Sequence, residues 1–343
     1  MESGTFNVYL SGVFNFRQLI IYILTIRNSK IGFIVLLVML TSCNTDKGMD
    51  KGAIFEFLDS KSTGIDFQNN LTYTEEFNTY LFRSFYNGAG VGMADLNNDG
   101  FQDLFFCGNQ VENKLYLGDG NFSFKDVTAI AGVASPDAWS TGVSIVDINQ
   151  DGLLDIYVCK SGNPSDKNRR NELFMNKGVN ADGIPVFEEE AKTYGIDDLG
   201  FSVHAVFLDF DKDGDLDMYL SNNSIEPSDL VIDVKKGIRE IQDTDAGDKL
   251  YRNDGNRFVN VNKEANIYSS VIGFGLGISV ADVNRDTWPD IYVANDFFEK
   301  DYLYLNNGDG TFTESKDKLF KHMSFNSMGS DLVDINNDGA LDL

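Results

Sequence analysis

The chain has 343 residues, 53 acidic side chains against 28 lysines and arginines, and a formal charge of −25. That excess argues against nucleic acid, whose phosphate backbone demands a basic footprint. Three cysteines are too few for a disulfide-dense scaffold, and the length admits one large β-domain or two smaller ones.

Residues 1–42 read as a leader. Within it, residues 31–40 (Ile-Gly-Phe-Ile-Val-Leu-Leu-Val-Met-Leu) form a ten-residue apolar core behind Arg27 and Lys30. That core is too short for a relaxed transmembrane span and is proportioned like a secretory signal. Leu40-Thr41-Ser42-Cys43 follows and resembles a bacterial lipobox, which makes Cys43 the expected lipidation site and the protein anchored rather than spanning. A second apolar run, Leu19 to Ile26, precedes the core, so translation is expected to start later than Met1. Residues 43–53 then form a lipidated linker, and 54–343 the folded domain. Asn44 is compatible with sorting to an outer membrane, giving a bacterial cell-envelope location whose face is left open.

Phe55-Glu-Phe-Leu58 and Thr63-Gly-Ile65-Asp-Phe67 resemble the later segment from Phe124 to Val133 without the strands that should precede it. An orphan outer strand is the expectation.

From Asp95 onward one nine-residue pattern, Asp-x-Asp/Asn-x-Asp-x-x-x-Asp, occurs five times. Its positions 1, 3, 5, 7 and 9 are Asp95, Asn97, Asp99, Phe101 and Asp103; Asp147, Asn149, Asp151, Leu153 and Asp155; Asp209, Asp211, Asp213, Asp215 and Asp217; Asp282, Asn284, Asp286, Trp288 and Asp290; and Asp334, Asn336, Asp338, Ala340 and Asp342. Side-chain oxygens at 1, 3, 5 and 9 with the carbonyl of 7 supply about five hard ligands, and a water or a bidentate carboxylate completes the shell of Ca²⁺. Glycine at position 6 permits the positive φ of the bend, except in loop four, where Thr287 replaces it. Turn chemistry alone calls for Asp, Asn and Gly, but not for acids held at positions 1, 5 and 9. Up to five structural Ca²⁺ are therefore expected, which would bring the charge from −25 to −15.

An EF-hand would close with Glu at position 12 between helices. Here position 12 is Phe106, Val158, Leu220 or Val293, and the flanks are β-branched and aromatic. Each loop should join two strands of a hairpin. A second motif follows the first four loops, led by Asn113, Asn171, Asp248 and Asp301, and then a Phe-led strand. The unit is four short strands. Its first Asp recurs after 52, 62, 73 and 52 residues, which predicts an all-β fold, a β-propeller of four-stranded blades. The chain stops at Leu343, one residue beyond the fifth loop. It reads as an incomplete propeller of about four and a half blades from a longer protein.

The long third period holds an insert, residues 224–247, in which residues 228–241 have apolar spacing suited to a short helix. Cys107 and Cys159 each lie four residues after a position-9 Asp. Equivalent places one blade apart are too distant for a disulfide, so free buried thiols are expected. His204 reads as a packed strand residue and His322 has no assigned role. No His-Glu-x-x-His, Gly-x-Ser-x-Gly or phosphate-loop signature occurs.

Taken together, Tyr86-Asn-Gly-Ala-Gly-Val-Gly-Met-Ala-Asp95, Asn171-Glu-Leu-Phe174, Asp209-Phe-Asp-Lys-Asp-Gly-Asp-Leu-Asp217, Trp288-Pro-Asp-Ile-Tyr-Val293 and Asn295-Asp-Phe297 resemble FG-GAP or VCBS-type repeats. The integrin α-subunit propeller is one relative. Closer are bacterial surface proteins related to cartilage acidic protein, which often end in an ASPIC/UnbV domain not seen here. The resemblance covers about residues 54–343. It implies a calcium-stabilised propeller for adhesion or ligand binding, with the metal held through positions 1, 3, 5, 7 and 9. The expected function is a non-enzymatic envelope lipoprotein binding a protein or glycan partner. Residues 161–170, 224–247 and 296–300, which differ between blades, are the expected contact surface. Alternatives are a carbohydrate-active or oxidising propeller enzyme, and a structural spacer.

Overall fold

The computed structural model describes residues 54–343 apart from 163–167, 225–236, 238, 240, 298, 323 and 325. The leader, Cys43 and nearly all of the helix expected at 228–241 lie outside the described residues. Among the described residues no helix is long and apolar enough to cross a membrane.

Four antiparallel sheets of four strands follow one another along the chain. The first blade is β1 (Val91–Ala94), β2 (Asp103–Phe106), β3 (Lys114–Gly118) and β4 (Phe124–Asp126). The second is β5 (Ser140–Val146), β6 (Asp155–Lys160), β7 (Glu172–Val179) and β8 (Pro185–Glu189). The third is β9 (Ser202–Leu208), β10 (Asp217–Asn222), β11 (Lys249–Asn253) and β12 (Phe258–Asn260), and the fourth β13 (Gly275–Ala281), β14 (Asp290–Asn295), β15 (Tyr302–Asn306) and β16 (Phe312–Glu314). Within every sheet, spatial order equals chain order, as in a β-propeller blade. The first strands β1, β5, β9 and β13 neighbour one another in series and form the inner edges. The fifth loop closes on an isolated bridge between Val333 and Asp342.

Sequence periodicity explains the stacking. In β6, β10 and β14 all six residues are buried, because each of these strands packs on both faces. Ile156 and Val158 join Phe105, Cys107 and Leu115 of the first blade, whereas Tyr157 and Cys159 join Ala205, Met218 and Leu220 of the third. Tyr219, on the other face of β10, packs with Ile291, Val293, Tyr302 and Tyr304 of the fourth blade. The alternation of a strand thus assigns successive side chains to successive inter-blade cores. Close approach at the inner edges also needs glycine: a Cβ on Gly142 would lie 2.3 Å from the Val203 carbonyl oxygen.

A one-turn helix follows each outer strand, at Thr128–Ala131, Ala191–Tyr194, Asn262–Ala265 and Lys316–Leu319. Residues Ser60–Thr63, capped by Asp59 and closed by Gly64 at φ 78°, repeat that turn near the start of the described chain. The strand expected at 55–58 is absent: these residues lie exposed and unpaired. Residues 64–90 add a feature that the repeats did not announce, an aromatic cluster in which Phe77, Phe82 and Phe85 surround Trp139 with ring centroids 5.1, 5.4 and 5.4 Å away.

Cys107 and Cys159 are free and buried, and burial pushes both thiols up in pKa. His204 sits within β9 opposite Ser221, and burial lowers its pKa. His322 is exposed.

Candidate metal centres in the blade loops

All five acidic loops adopt one conformation. In the complete blades the residue before position 1 pairs with the Asp at position 9: Ala94 with Asp103, Val146 with Asp155, Leu208 with Asp217, and Ala281 with Asp290. An eight-residue loop therefore spans the same gap each time. Two of its residues are left-handed. Position 6 has φ of 91°, 85°, 99°, 77° and 80° at Gly100, Gly152, Gly214, Thr287 and Gly339. Position 4 has φ of 57°, 59°, 61°, 66° and 59° at Asn98, Gln150, Lys212, Arg285 and Asn337. A Cβ at Gly100 would meet nothing within 4 Å, so glycine is wanted there for its φ and not for space. The demand at position 4 was invisible in sequence, because none of its occupants is glycine.

The acids fold the loop around themselves. At position 1, Asp95 accepts from the Asp99 and Gly100 amides at 3.1 and 2.8 Å, and Asp147, Asp282 and Asp334 repeat both contacts. Asn97 and its counterparts Asn149, Asp211, Asn284 and Asn336 accept from the position-5 amide. Position-5 acids Asp99, Asp151, Asp213, Asp286 and Asp338 accept from the amide of position 7, at Phe101, Leu153, Asp215, Trp288 and Ala340.

Position 9 does something further. Asp103, Asp155, Asp217 and Asp290 are fully buried, and each accepts one loop amide and one amide from the third strand. The donors are Leu96 and Gly118 for Asp103, Ile148 and Asn176 for Asp155, Phe210 and Asn253 for Asp217, and Val283 and Asn306 for Asp290, all within 3.2 Å. This carboxylate clamps loop to blade. Asp342 retains only the loop contact, from Ile335 at 3.1 Å. Burial, reinforced by the neighbouring loop acids, pushes Asp103 and Asp155 up to about 6 and Asp217 to about 7 against the pull of their amide donors; Asp290 is raised for the same first reason.

Loop three stands apart. Asn97, Asn149 and Asn284 turn an amide N–H to the position-5 carboxylate at 2.8–3.0 Å, but Asp211 has no such proton to give. Its carboxyl is raised by burial and by Asp213 and Asp209. One oxygen from each of Asp209, Asp211 and Asp217 lies within 4.8 Å of the others. Oδ1 of Asp209 and Oδ1 of Asp215 are buried without a hydrogen-bond partner. Converging acidic oxygens with unused lone pairs are the donor set that a hard divalent cation takes, so the residues fit Ca²⁺. The fit is fullest at this loop.

A contact between loops also emerges. The position-4 side chain of each loop reaches position 6 of the next: Asn98 to the Gly152 carbonyl at 3.4 Å, Gln150 to Gly214 at 2.6 Å, and Arg285 to Gly339 at 2.7 Å. In the remaining pair Lys212 donates to the Thr287 hydroxyl at 3.0 Å, and its ammonium sits 4.1 Å from the Trp288 ring centroid. Every occupant of position 4 carries a side-chain N–H donor, which is the one sequence signal that could have revealed this chain of contacts.

Comparison with known proteins agrees with the repeats. The FG-GAP-like repeat family matches residues 95–158 and 282–343. Cartilage acidic protein 1 of Mus musculus is 28% identical over 173 residues, which is 48% of this chain and 25% of that protein. The Homo sapiens protein is 25% identical over 173 residues, 48% of this chain and 24% of that one. The match thus spans about a quarter of the length of these curated relatives. A solved structure of an Agrocybe aegerita lectin, titled for recognition of non-reducing terminal N-acetylglucosamine, aligns with 64% of this chain and 49% of its own at 18% identity and a TM-score of 0.33. The chain thus resembles FG-GAP-like repeats over two stretches, 95–158 and 282–343, within four-stranded blades that follow one another as in a β-propeller.

Proposed function

We propose that this chain is a calcium-braced binding propeller of a bacterial cell envelope, tethered through a lipid on Cys43 and presenting its blades to a protein or glycan partner. Five loops of one geometry support the metal. The observation that carries it is the convergence of Asp209, Asp211 and Asp217, with one buried oxygen of Asp209 left without a hydrogen-bond partner. Ca²⁺ bound there supplies positive charge among acids otherwise held together against their repulsion. In each loop the ligands would be the side chains of positions 1, 3, 5 and 9 and the carbonyl of position 7. The lipobox-like Leu40-Thr41-Ser42-Cys43 supports the anchor, and the family likeness supports binding over catalysis.

A cation that binds only the folded loops stabilises by mass action, about 2.7 kcal/mol per site at a hundredfold excess over Kd. Melting in millimolar Ca²⁺ and in excess EDTA should therefore differ by many degrees, with Mg²⁺ restoring little. Coincident melting curves would overturn the metal. Metabolic labelling with a radioactive fatty acid, lost in Cys43→Ser, tests the anchor.

A further inference from the structure

Two buried side chains tie the acidic loops together in pairs. In the first pair, Asp103 accepts from the Leu96 amide at 2.8 Å, and the Leu96 carbonyl in turn accepts from Nδ2 of Asn176 at 2.9 Å. Asn176 belongs to the second blade, where its backbone amide donates to Asp155 at 2.8 Å. The second pair repeats the path bond for bond: Asp217 accepts from the Phe210 amide at 3.0 Å, the Phe210 carbonyl from Nδ2 of Asn306 at 2.8 Å, and the Asn306 amide donates to Asp290 at 2.8 Å. Two residues thus carry the connection from the position-9 carboxylate of one loop to that of the next. Each asparagine also donates from Nδ2 to its own loop, at the Leu154 carbonyl (3.1 Å) and the Pro289 carbonyl (3.3 Å), so a single amide bridges two loops.

The whole path is out of water. Both asparagines, Leu96, Phe210 and the four carboxylates are buried. Leu96 and Phe210 also pack their side chains into the cores between blades, Phe210 with its ring centroid 5.8 Å from that of Phe312. The backbone that carries each bond is therefore held from its side chain as well. The path is not general to the repeat. Asn253, the third blade's counterpart, donates to the Leu216 carbonyl of its own loop at 3.2 Å, and among the described residues it makes no bond to the second loop. Loops two and three, and loops four and five, are joined by the exposed contacts of Gln150 and Arg285 instead.

We infer that Asn176 and Asn306 are positioning residues that couple cation binding in pairs, loop one with loop two and loop three with loop four. This rests on the calcium sites proposed above. A cation that orders the acids of loop three fixes Phe210 through Asp217. Phe210 in turn holds Asn306, whose amide presets Asp290 for the cation of loop four. The entropy of ordering is then lost once for two sites, which is positive cooperativity without a change of shape, and by linkage it acts equally in both directions. Repulsion between neighbouring dications opposes it, but salt screens charges at exposed loops and leaves buried hydrogen bonds intact. The coupling should amount to about two- to tenfold in affinity, the range of one net hydrogen bond.

The chain has two tryptophans, Trp139 and Trp288, and Trp288 is position 7 of loop four. With Trp139→Phe in the full chain, Tb³⁺ luminescence sensitised by Trp288 reads loop four, and displacement by Ca²⁺ ties the signal to the calcium site. Asp213→Ala, which empties loop three, should weaken Tb³⁺ at loop four by about two- to tenfold, at high salt as at low. Asp338→Ala, which empties loop five, should leave it unchanged. Asn306→Ala should produce the same loss with every ligand in place, and Asp213→Ala added to it should then have no further effect. Asn176→Ala, an equal lesion in the other pair, should not alter loop four. Equal shifts from the loop-three and loop-five variants, or parental affinity in Asn306→Ala, would overturn the pairing alone. Should Asn306→Ala fail to fold, those two loop variants decide the question, since both change exposed residues. A Tb³⁺ signal that does not saturate, or that Ca²⁺ does not displace, would overturn the cation sites and the pairing together.

Discussion

One position of the repeat shows how a blade chooses its residues. The Asn or Asp that leads the third strand accepts a backbone amide from the end of the second: Gly108 to Asn113 at 3.0 Å, Lys160 to Asn171 at 2.7 Å, Asn222 to Asp248 at 2.9 Å, and Asn295 to Asp301 at 2.8 Å. The second side-chain atom meets a tyrosine hydroxyl, which accepts from Asn171 but donates to Asp248 and Asp301. Phe105 fills the tyrosine's place in the first blade, and Asn113 Nδ2 is accordingly left without a partner. Asp248 is fully buried, and burial, with Glu299 adding to it, pushes its carboxyl up to about 6 despite donors from Asn222, Tyr219 and Ser221. A raised folded pKa means that the native state favours the protonated form. Its contribution is full below pH 4 and is lost as pH rises through 6. Asp248→Asn, which copies Asn171, should match the parent near pH 4 and exceed it by up to ~3 kcal/mol at pH 7. Denaturant melts of both proteins across that range, in saturating Ca²⁺, read the difference; a gap independent of pH would refute the assignment.

The acidic loop is the element that repeats most faithfully, and its exception is informative. Thr287 holds φ at 77°, where a β-branched residue is strained by about 1–2 kcal/mol, yet its hydroxyl accepts from Lys212. Thr287→Gly should melt a few degrees above Thr287→Ala, since both lose the hydroxyl and only glycine relieves the φ, a difference of about 1 kcal/mol. Equal melting temperatures would show that no strain is stored. The contact between neighbouring loops has its own test. Lys212→Ala removes the hydrogen bond and the cation from the Trp288 ring, at a cost of about 1 kcal/mol, and should red-shift the emission of Trp288 when it is the only tryptophan. An unshifted spectrum would mean that the ammonium does not cover the ring.

At the scale of the molecule, the cores lie between blades rather than within them. Leu220 is fully buried among residues of the second blade, so Leu220→Ala should cost 2–5 kcal/mol while leaving unfolding a single transition, followed alike by far-UV and near-UV circular dichroism. Separate midpoints would mean that the blades melt independently. The net charge of −25 acts at this scale too, through a field that favours cations at every loop.

Much of this was legible in the sequence because it is local. A hairpin turn needs particular residues at particular offsets, so five acidic loops, their spacing and the four-strand unit could be read from neighbours along the chain. The position-9 acid was readable as a candidate ligand but not as the clamp on the third strand, since its amide partner lies 15 to 36 residues away. Residues 55–58 have the composition of an outer strand, and they form none here, because a strand forms only where an edge is present to pair with it. By itself the sequence determined the blades, because periodic burial and turn chemistry are properties of short segments. Only the tertiary structure decided which loop leaves carboxylate oxygens unpaired and how each loop reaches the next, because both depend on where side chains distant along the chain meet in space.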